Sequence, residues 1–437
     1  MTADACRQNE PWIFPRLFFY FPLLRRIRKY GIIHAMKLKP IITSLLETDA
    51  YKFNMMNVIF HTFNKDVTKW AFKCRNKNVR FTTEMVQEIR EQIDFFCSLG
   101  FSKEELEWLA ANFPWLKTDF INQLKRWYPD RNDIRINEGD VEYLDECGLA
   151  IEANGTWLDT TLYEIAILAI VNEVYFAFSE NPMSIDEFKR RTVERLDNLI
   201  TGVKPIGTFS EFGLRRRYSK ETQDWLVGFL KDNVPGFVGT SNVYLAKKYG
   251  VKAIGTQAHE FFMALESHFE WNPAYINSFA MDAWVKEYQT LLGIALTDTI
   301  GTDVFLKDFD LSFATLFNGV RHDSGDPIEW GEKMIAHYKK LRIDPKTKTL
   351  LFSDSLDVDR ANMLYEYFRG RTKVAFGIGT FLTNPSDNPL NIVFKMIECN
   401  GSPVAKLSND NGKVMCRDDE FINHLRNTIA WRMEHTA

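Results

Sequence analysis

From Pro205 to Thr380 the chain repeats one pattern that few folds satisfy: a short apolar run ends at a polar residue or glycine, and a helical pattern follows. The runs end near Ser210, Thr240, Gly255, Thr297, Arg321, Ser353 and Gly377. Parallel strands cannot be joined by tight turns, so this alternation predicts a parallel sheet with crossover helices. Seven such units suggest closure, and the nearest common architecture has eight strands, so an irregular (β/α) barrel is expected. Chemistry in such barrels sits where loops converge at the carboxyl ends of the strands.

The flanking segments read differently. Thr68 to Arg75 alternates, with Trp70, Phe72 and Cys74 on one face, which predicts a half-buried strand. Glu84–Phe96 and Lys103–Phe113 carry apolar residues at helical spacing. Thr160–Phe178 is a long apolar helical run, but Glu164, Asn172 and Glu173 favour a buried core helix over a membrane span. Beyond Leu390 the pattern turns to hairpins: Asn391–Cys399, a turn at Asn400-Gly401, then Val404–Leu407. The expected division is therefore a smaller α/β domain over 36–160, completed by 385–437, and a barrel with the active site over 161–384.

Residues 1–35 match neither part. Trp12–Leu24 is apolar but broken by Pro15, Arg16 and Pro22, and its basic cluster follows rather than precedes it. That fits neither a spanning helix nor a signal peptide. A surface anchor, a packed extension and sequence upstream of a start at Met36 compete, and the last is preferred. A chain beginning at Met36 is expected to keep full activity.

Composition narrows the function. A chain of 437 residues, 45% hydrophobic, easily supplies a core, which excludes disorder. A net charge of -4 argues against a general nucleic-acid binder, although local arginine clusters still suit anionic substrates. Six cysteines without a CxxC pair point away from a disulfide framework or a cysteine zinc site and toward a reducing cytoplasm.

At the strand ends, Glu211-Phe-Gly-Leu-Arg-Arg-Arg217 offers guanidinium groups for phosphate, with Arg215 nearest the strand. His259 follows a strand and opens a helix, a place for an acid, base or nucleophile. No HxxxH or HExxH spacing supports a zinc hydrolase. Arg321-His-Asp323-Ser-Gly-Asp-Pro327 combines an anion ligand with a ribose or metal ligand, and Asp354 places a carboxylate at the next strand end. Gly377-Ile-Gly379-Thr380 exposes backbone N–H groups to an anion. Neither a P-loop nor a dinucleotide fingerprint is present. The residues describe a barrel enzyme for a phosphorylated, ribose-containing anion.

The segments Thr48-Asp-Ala-Tyr-Lys52, Glu211–Arg217, Gly239-Thr-Ser-Asn242, Gly255-Thr-Gln-Ala-His-Glu260, Leu296-Thr-Asp298, Val320–Pro327, Phe352-Ser-Asp354 and Phe376-Gly-Ile-Gly-Thr380 resemble, in order, the nicotinate phosphoribosyltransferases of bacterial type. The resemblance implies a type II phosphoribosyltransferase fold: an irregular barrel plus a smaller α/β domain from both chain ends. It implies formation of nicotinate mononucleotide and pyrophosphate from nicotinate and 5-phosphoribosyl 1-pyrophosphate, the first step of NAD salvage from nicotinate. ATP as co-substrate, Mg²⁺, a phosphohistidine at His259 and a homodimer with shared active sites are implied as well. Tyr51 and Phe212 would sandwich the pyridine ring, with Tyr51 from the same chain or from the neighbouring subunit. Arg321 and Thr256 would hold its carboxylate, Asp323 and Asp354 the ribose hydroxyls, and Arg215, Gly379 and Thr380 the 5-phosphate.

The implied rival is the nicotinamide-specific relative, which has an aspartate at the position of Ser241; a carboxylate there would repel nicotinate, so Ser241 favours the acid. Quinolinate phosphoribosyltransferases fit poorly in motif order and length. A barrel lyase would show a strand-end base, but Lys252 is inside its run and Glu260 lies in a helix. A catalytically dead scaffold would have lost strand-end polar residues, and none is missing.

Overall fold

The computed structural model describes residues 37–137, 146–269, 272–409, 414, 416 and 418–435. The chain divides into two units, Met1–Lys39 and Pro40–Ala437. Of the first, only Lys37–Lys39 are described, and they form neither helix nor strand. The expectations for residues 1–35 lie outside the described residues.

Among the described residues of the second unit the strands are, in chain order, β1 (Val67–Cys74), β2 (Ile134–Ile136), β3 (Ile151–Thr156), β4 (Thr208–Glu211), β5 (Phe237–Thr240), β6 (Lys252–Ala253), β7 (Ile294–Leu296), β8 (Gly319–His322), β9 (Thr349–Phe352), β10 (Lys373–Ile378), β11 (Ile392–Cys399) and β12 (Ser402–Pro403). Strands β4 to β10 form one sheet in the order β6-β5-β4-β10-β9-β8-β7, parallel throughout. Each of the seven strands stands at one of the seven expected run ends.

The sheet curls into a half-barrel, with β6 and β7 as its edges. The loop after β6 spans the gap with side chains: Thr256 Oγ1 donates to the Ile294 carbonyl at 3.1 Å, and Gln257 Oε1 accepts from the Leu296 N–H at 3.4 Å. These bonds satisfy backbone groups that an eighth strand would otherwise pair.

The second sheet is antiparallel, in the order β12-β11-β1-β3-β2. It joins strands from both ends of the chain, as the expected fold class requires. In strand β1 Lys69 and Lys73 are exposed and Trp70 and Phe72 buried as expected, but Ala71 between them is buried as well, so the alternation is not complete. One expectation fails here. Val404–Leu407 does not form the second arm of the hairpin: β12 stops at Pro403, and of these residues only Val404 still bonds β11, its N–H to the Ile397 carbonyl at 3.2 Å. The backbone then leaves the sheet because the Ala405 N–H goes to Glu266 Oε2 and the Leu407 N–H to the Thr299 carbonyl.

The long apolar run forms the helix Tyr163–Ala177. The span Trp157–Ala177 is long and apolar enough to cross a membrane by composition alone, but 83% of its apolar window is buried inside the protein. The helix Ala50–Thr62 is buried along Ala50–Ile59. Its start is fixed by backbone bonds from Ala50 N–H to the Ser241 carbonyl at 2.8 Å and from Val243 N–H to the Thr48 carbonyl at 3.0 Å.

Candidate active site

A cavity of about 530 Å³ opens at the carboxyl ends of β4, β8, β9 and β10, facing β1 and β11 of the antiparallel sheet. The parallel sheet supplies Phe212, Arg215, Arg216, Arg321, Asp323, Asp354, Gly379 and Thr380 to its lining, and the helix after β6 supplies His259. The antiparallel side adds Arg75, Lys395 and Lys406. Such a concentration of cations in one concavity suits a polyanion.

The arginine run divides as its turn dictates. Arg217 is buried against Glu47 at 3.1 Å and is structural. Arg215 and Arg216 both reach the cavity. Arg216 donates to the Ile392 carbonyl and to Asn391 Oδ1 at 3.0 Å. Burial, then the positive charges of Arg215 and Arg75, pull its pKa down to about 10. A buried guanidinium whose charge its neighbours disfavour is a site that an anion would relax.

Arg215 is restrained by Glu164, whose Oε1 lies 3.4 Å from Nη1. Glu164 also meets Lys52 at 2.8 Å and Lys395 at 3.5 Å, while Lys52 bonds Glu260. Burial would raise the Glu164 carboxyl, but Lys52, Lys395 and Arg215 together hold it well below the usual range. It is therefore an anionic clamp on the cations that face the cavity.

His259 opens the helix His259–Glu266. Its Nε2 lies 2.8 Å from Asp298 Oδ1 and 3.6 Å from Asp323 Oδ2. Asp298 also accepts from Ser324 Oγ at 2.6 Å and meets Lys406 at 3.0 Å. Burial and Lys406 lower the His259 pKa against the opposing pull of Asp298. A neutral imidazole with Nε2 engaged leaves Nδ1 as its nucleophilic nitrogen. His259, Asp298 and Asp323 could together approach a cation. The two carboxylates suit a hard ion, but Lys406 Nζ stands 3.0 and 3.5 Å from them.

Arg321 donates to Ser353 Oγ at 2.7 Å, to Asp323 Oδ1 at 2.8 Å and to the Gln257 carbonyl at 3.3 Å. These bonds use three of its five N–H groups and leave two for a ligand. Asp354 lines the same wall, with Ser355 Oγ donating to it at 3.1 Å.

A smaller pocket of about 80 Å³ shares Tyr51, Phe212, Arg215 and Arg321 with the large cavity and adds Asp49, Ser241 and Thr256. Tyr51 reaches it from its own chain. The helix start docks closely: a Cβ on Gly255 would lie 2.9 Å from the Tyr51 backbone nitrogen. Gly377 is needed for the opposite wall, because a Cβ there would stand 2.4 Å from the Phe212 ring. Its role is thus ring packing, whereas Gly379 and Thr380 line the large cavity.

Ser241 Oγ donates to Asp49 Oδ1 at 2.6 Å. A carboxyl group therefore does stand beside the serine, supplied by another segment, and burial raises its pKa. The charge contrast drawn from Ser241 alone is incomplete; Arg215 and Arg321 enter the same balance. The sequence reading also missed Asp298, Glu164, Lys395 and Lys406 as site residues. Asp49 and Asp298 stood inside quoted motifs, whereas no local pattern marked the two lysines.

Residues 208–431 match the nicotinate phosphoribosyltransferase (NAPRTase) family, and residues 46–172 match that family's N-terminal domain. The nicotinate phosphoribosyltransferase of Chromobacterium violaceum is 44% identical over 399 residues, covering 89% of this chain and 96% of that protein. That of Acinetobacter baylyi is 43% identical over 402 residues, covering 90% and 97%. The crystal structure of nicotinate phosphoribosyltransferase from Vibrio cholerae aligns with a TM-score of 0.84 at 37% identity, covering 89% of this chain and 94% of that one. That from Porphyromonas gingivalis aligns with a TM-score of 0.82 at 34% identity, covering 89% and 100%.

Proposed function

The chain belongs to the nicotinate phosphoribosyltransferase family, and we propose that its two adjoining pockets divide that family's substrates between them. The enzyme joins nicotinate to 5-phosphoribosyl 1-pyrophosphate, giving nicotinate mononucleotide and pyrophosphate in the salvage route to NAD. The observation that carries the division is the small pocket with two aromatic rings and two arginines, opening onto a cavity lined by cations. A flat aromatic acid suits the first and a polyphosphate the second.

In this arrangement Tyr51 and Phe212 hold the pyridine ring between them. Arg321 directs its two unused N–H groups at the carboxylate; Thr256 and Ser241 complete the pocket. Asp323 and Asp354 take ribose hydroxyls, and Arg215, Gly379 and Thr380 take the 5-phosphate. Departure of pyrophosphate leaves positive charge on the ribose ring, as in glycoside cleavage. The ring nitrogen must then already lie in line with the breaking bond, which the fixed walls of the small pocket provide. Arg75, Arg216, Lys395 and Lys406 meet the charge on the leaving group.

Asp298 and Asp323 suit Mg²⁺ in part, and the ion, which usually enters with phosphates, would supply further neutralisation of the pyrophosphate. ATP is the co-substrate, phosphorylating His259 at Nδ1; the neutral, oriented imidazole supports this. The added negative charge would draw on Lys406 and weaken its hold on Asp298 and Asp323. Six cysteines without a CxxC pair support the cytoplasm as the site of action. A homodimer is kept in the proposal.

His259→Ala tests the coupling. It should abolish ADP release tied to turnover while leaving some uncoupled transfer, and unchanged stimulation by ATP would remove the phosphohistidine from the account.

A further inference from the structure

Glu211 ends β4, one residue before Phe212, and is fully buried. Its carboxylate receives three hydrogen bonds from three different segments of the chain. Oε1 accepts from the Gly213 N–H; Oε2 accepts from Thr240 Oγ1 at 2.6 Å and from Gln223 Nε2 at 3.1 Å. The Glu211 carbonyl also accepts the Ser241 N–H at 2.9 Å. Thr240 Oγ1 in turn accepts the Asn242 N–H at 3.0 Å. One side chain thus ties the turn that bears Phe212 to the turn that bears Ser241, and these are two walls of the small pocket.

We infer that Glu211 is a positioning residue for the nicotinate pocket, fixing the separation of Phe212 from Ser241 without touching the ligand. The inference rests on assigning the small pocket to nicotinate. Glu211 lines neither cavity, so its effect must pass through the two turns. Packing alone would be served better by an apolar side chain, because a buried carboxylate carries a desolvation cost. That cost is visible here: burial pushes the Glu211 carboxyl up to about 7, against the three donated bonds. The donors cannot rearrange around an amide. Gln223 Oε1 is already engaged by Asn242 Nδ2 at 3.2 Å and Arg217 Nη1 at 3.4 Å, so Gln223 must keep its NH₂ toward residue 211. Glu211→Gln therefore sets its NH₂ group against either the Gln223 NH₂ or the Gly213 N–H, and one bond is lost in both orientations.

The test is initial-rate kinetics of Glu211→Gln, Thr240→Val and Phe212→Ala, with both substrates varied and thermal melting recorded. Loss of a charged hydrogen bond predicts that Glu211→Gln raises the nicotinate KM about tenfold while the phosphoribosyl pyrophosphate KM stays within about twofold. Thr240→Val, which removes the bond to Glu211 together with the acceptor for the Asn242 N–H, should shift the nicotinate KM in the same direction. It carries the test if Glu211→Gln does not fold. A raised nicotinate KM in Phe212→Ala with none in the other two variants would overturn the inference and leave the pocket assignment standing. Equal rises for both substrates would also overturn it, since they mark a general loss of structure. An unchanged nicotinate KM in Phe212→Ala would instead sink the pocket assignment itself.

Discussion

Arg321 shows how a single residue earns a functional role through what it leaves unbonded. Ser353, Asp323 and the Gln257 carbonyl hold its guanidinium plane in place, so the remaining donors are pre-oriented at no further entropic cost. Arg321→Ala should weaken nicotinate binding by about 1.5–3 kcal/mol, the range for a hydrogen bond to a charged group. Saturation kinetics in nicotinate reads this directly, and an unchanged KM would take Arg321 out of the pocket. At this scale the sequence was legible where motif and strand end coincide. Arg321, Asp323, His259 and Asp354 all line the cavity as expected. Lys395 and Lys406 were illegible because they come from the antiparallel sheet and the segment beyond it, where strand-end logic does not apply. Their approach to Glu164 and Asp298 depends on long-range packing rather than spacing.

Elements position these groups through close contacts that tolerate little change. Phe212 lies against Gly377. Gly377→Ala should force the ring into the pocket, with an overpacking cost of about 1–3 kcal/mol. A raised nicotinate KM with a lowered melting temperature is expected; wild-type values for both would show that the ring has room to spare. The helix Tyr163–Ala177 carries a second test. Burial pushes Glu173 up to about 7, opposed by Arg217 and Lys220 and reinforced by Glu47. A raised carboxyl pKa means that the folded state holds the proton more tightly than the unfolded chain. Its destabilising effect is therefore absent below about pH 4.5 and complete above about pH 7. Relative to Glu173→Gln, the wild type should lose stability as pH rises through that window, by at most about 3 kcal/mol. A difference that stays flat between pH 4.5 and 7.5 in denaturant titrations would contradict this. The seven strands were readable from their spacing. The truncated hairpin was not, because Ala405 and Leu407 are strand-like in sequence but their N–H groups find partners in Glu266 and the Thr299 carbonyl.

For the whole molecule, the organising fact is that a half-barrel and an antiparallel sheet from both chain ends enclose one cavity. With Tyr51 and Phe212 from the same chain, mixing Tyr51→Ala with Phe212→Ala protein should restore no activity. Recovery above either variant alone would return Tyr51 to a partner subunit. The central claim is that this cavity transfers a phosphoribosyl group to the acid rather than the amide, driven by ATP. Its most direct measurement follows pyrophosphate and ADP release from the purified protein given phosphoribosyl pyrophosphate, Mg²⁺ and ATP, with nicotinate and nicotinamide in parallel. Pyrophosphate with nicotinate alone, accompanied by ADP, is the predicted result. Release with nicotinamide but not nicotinate would contradict the account.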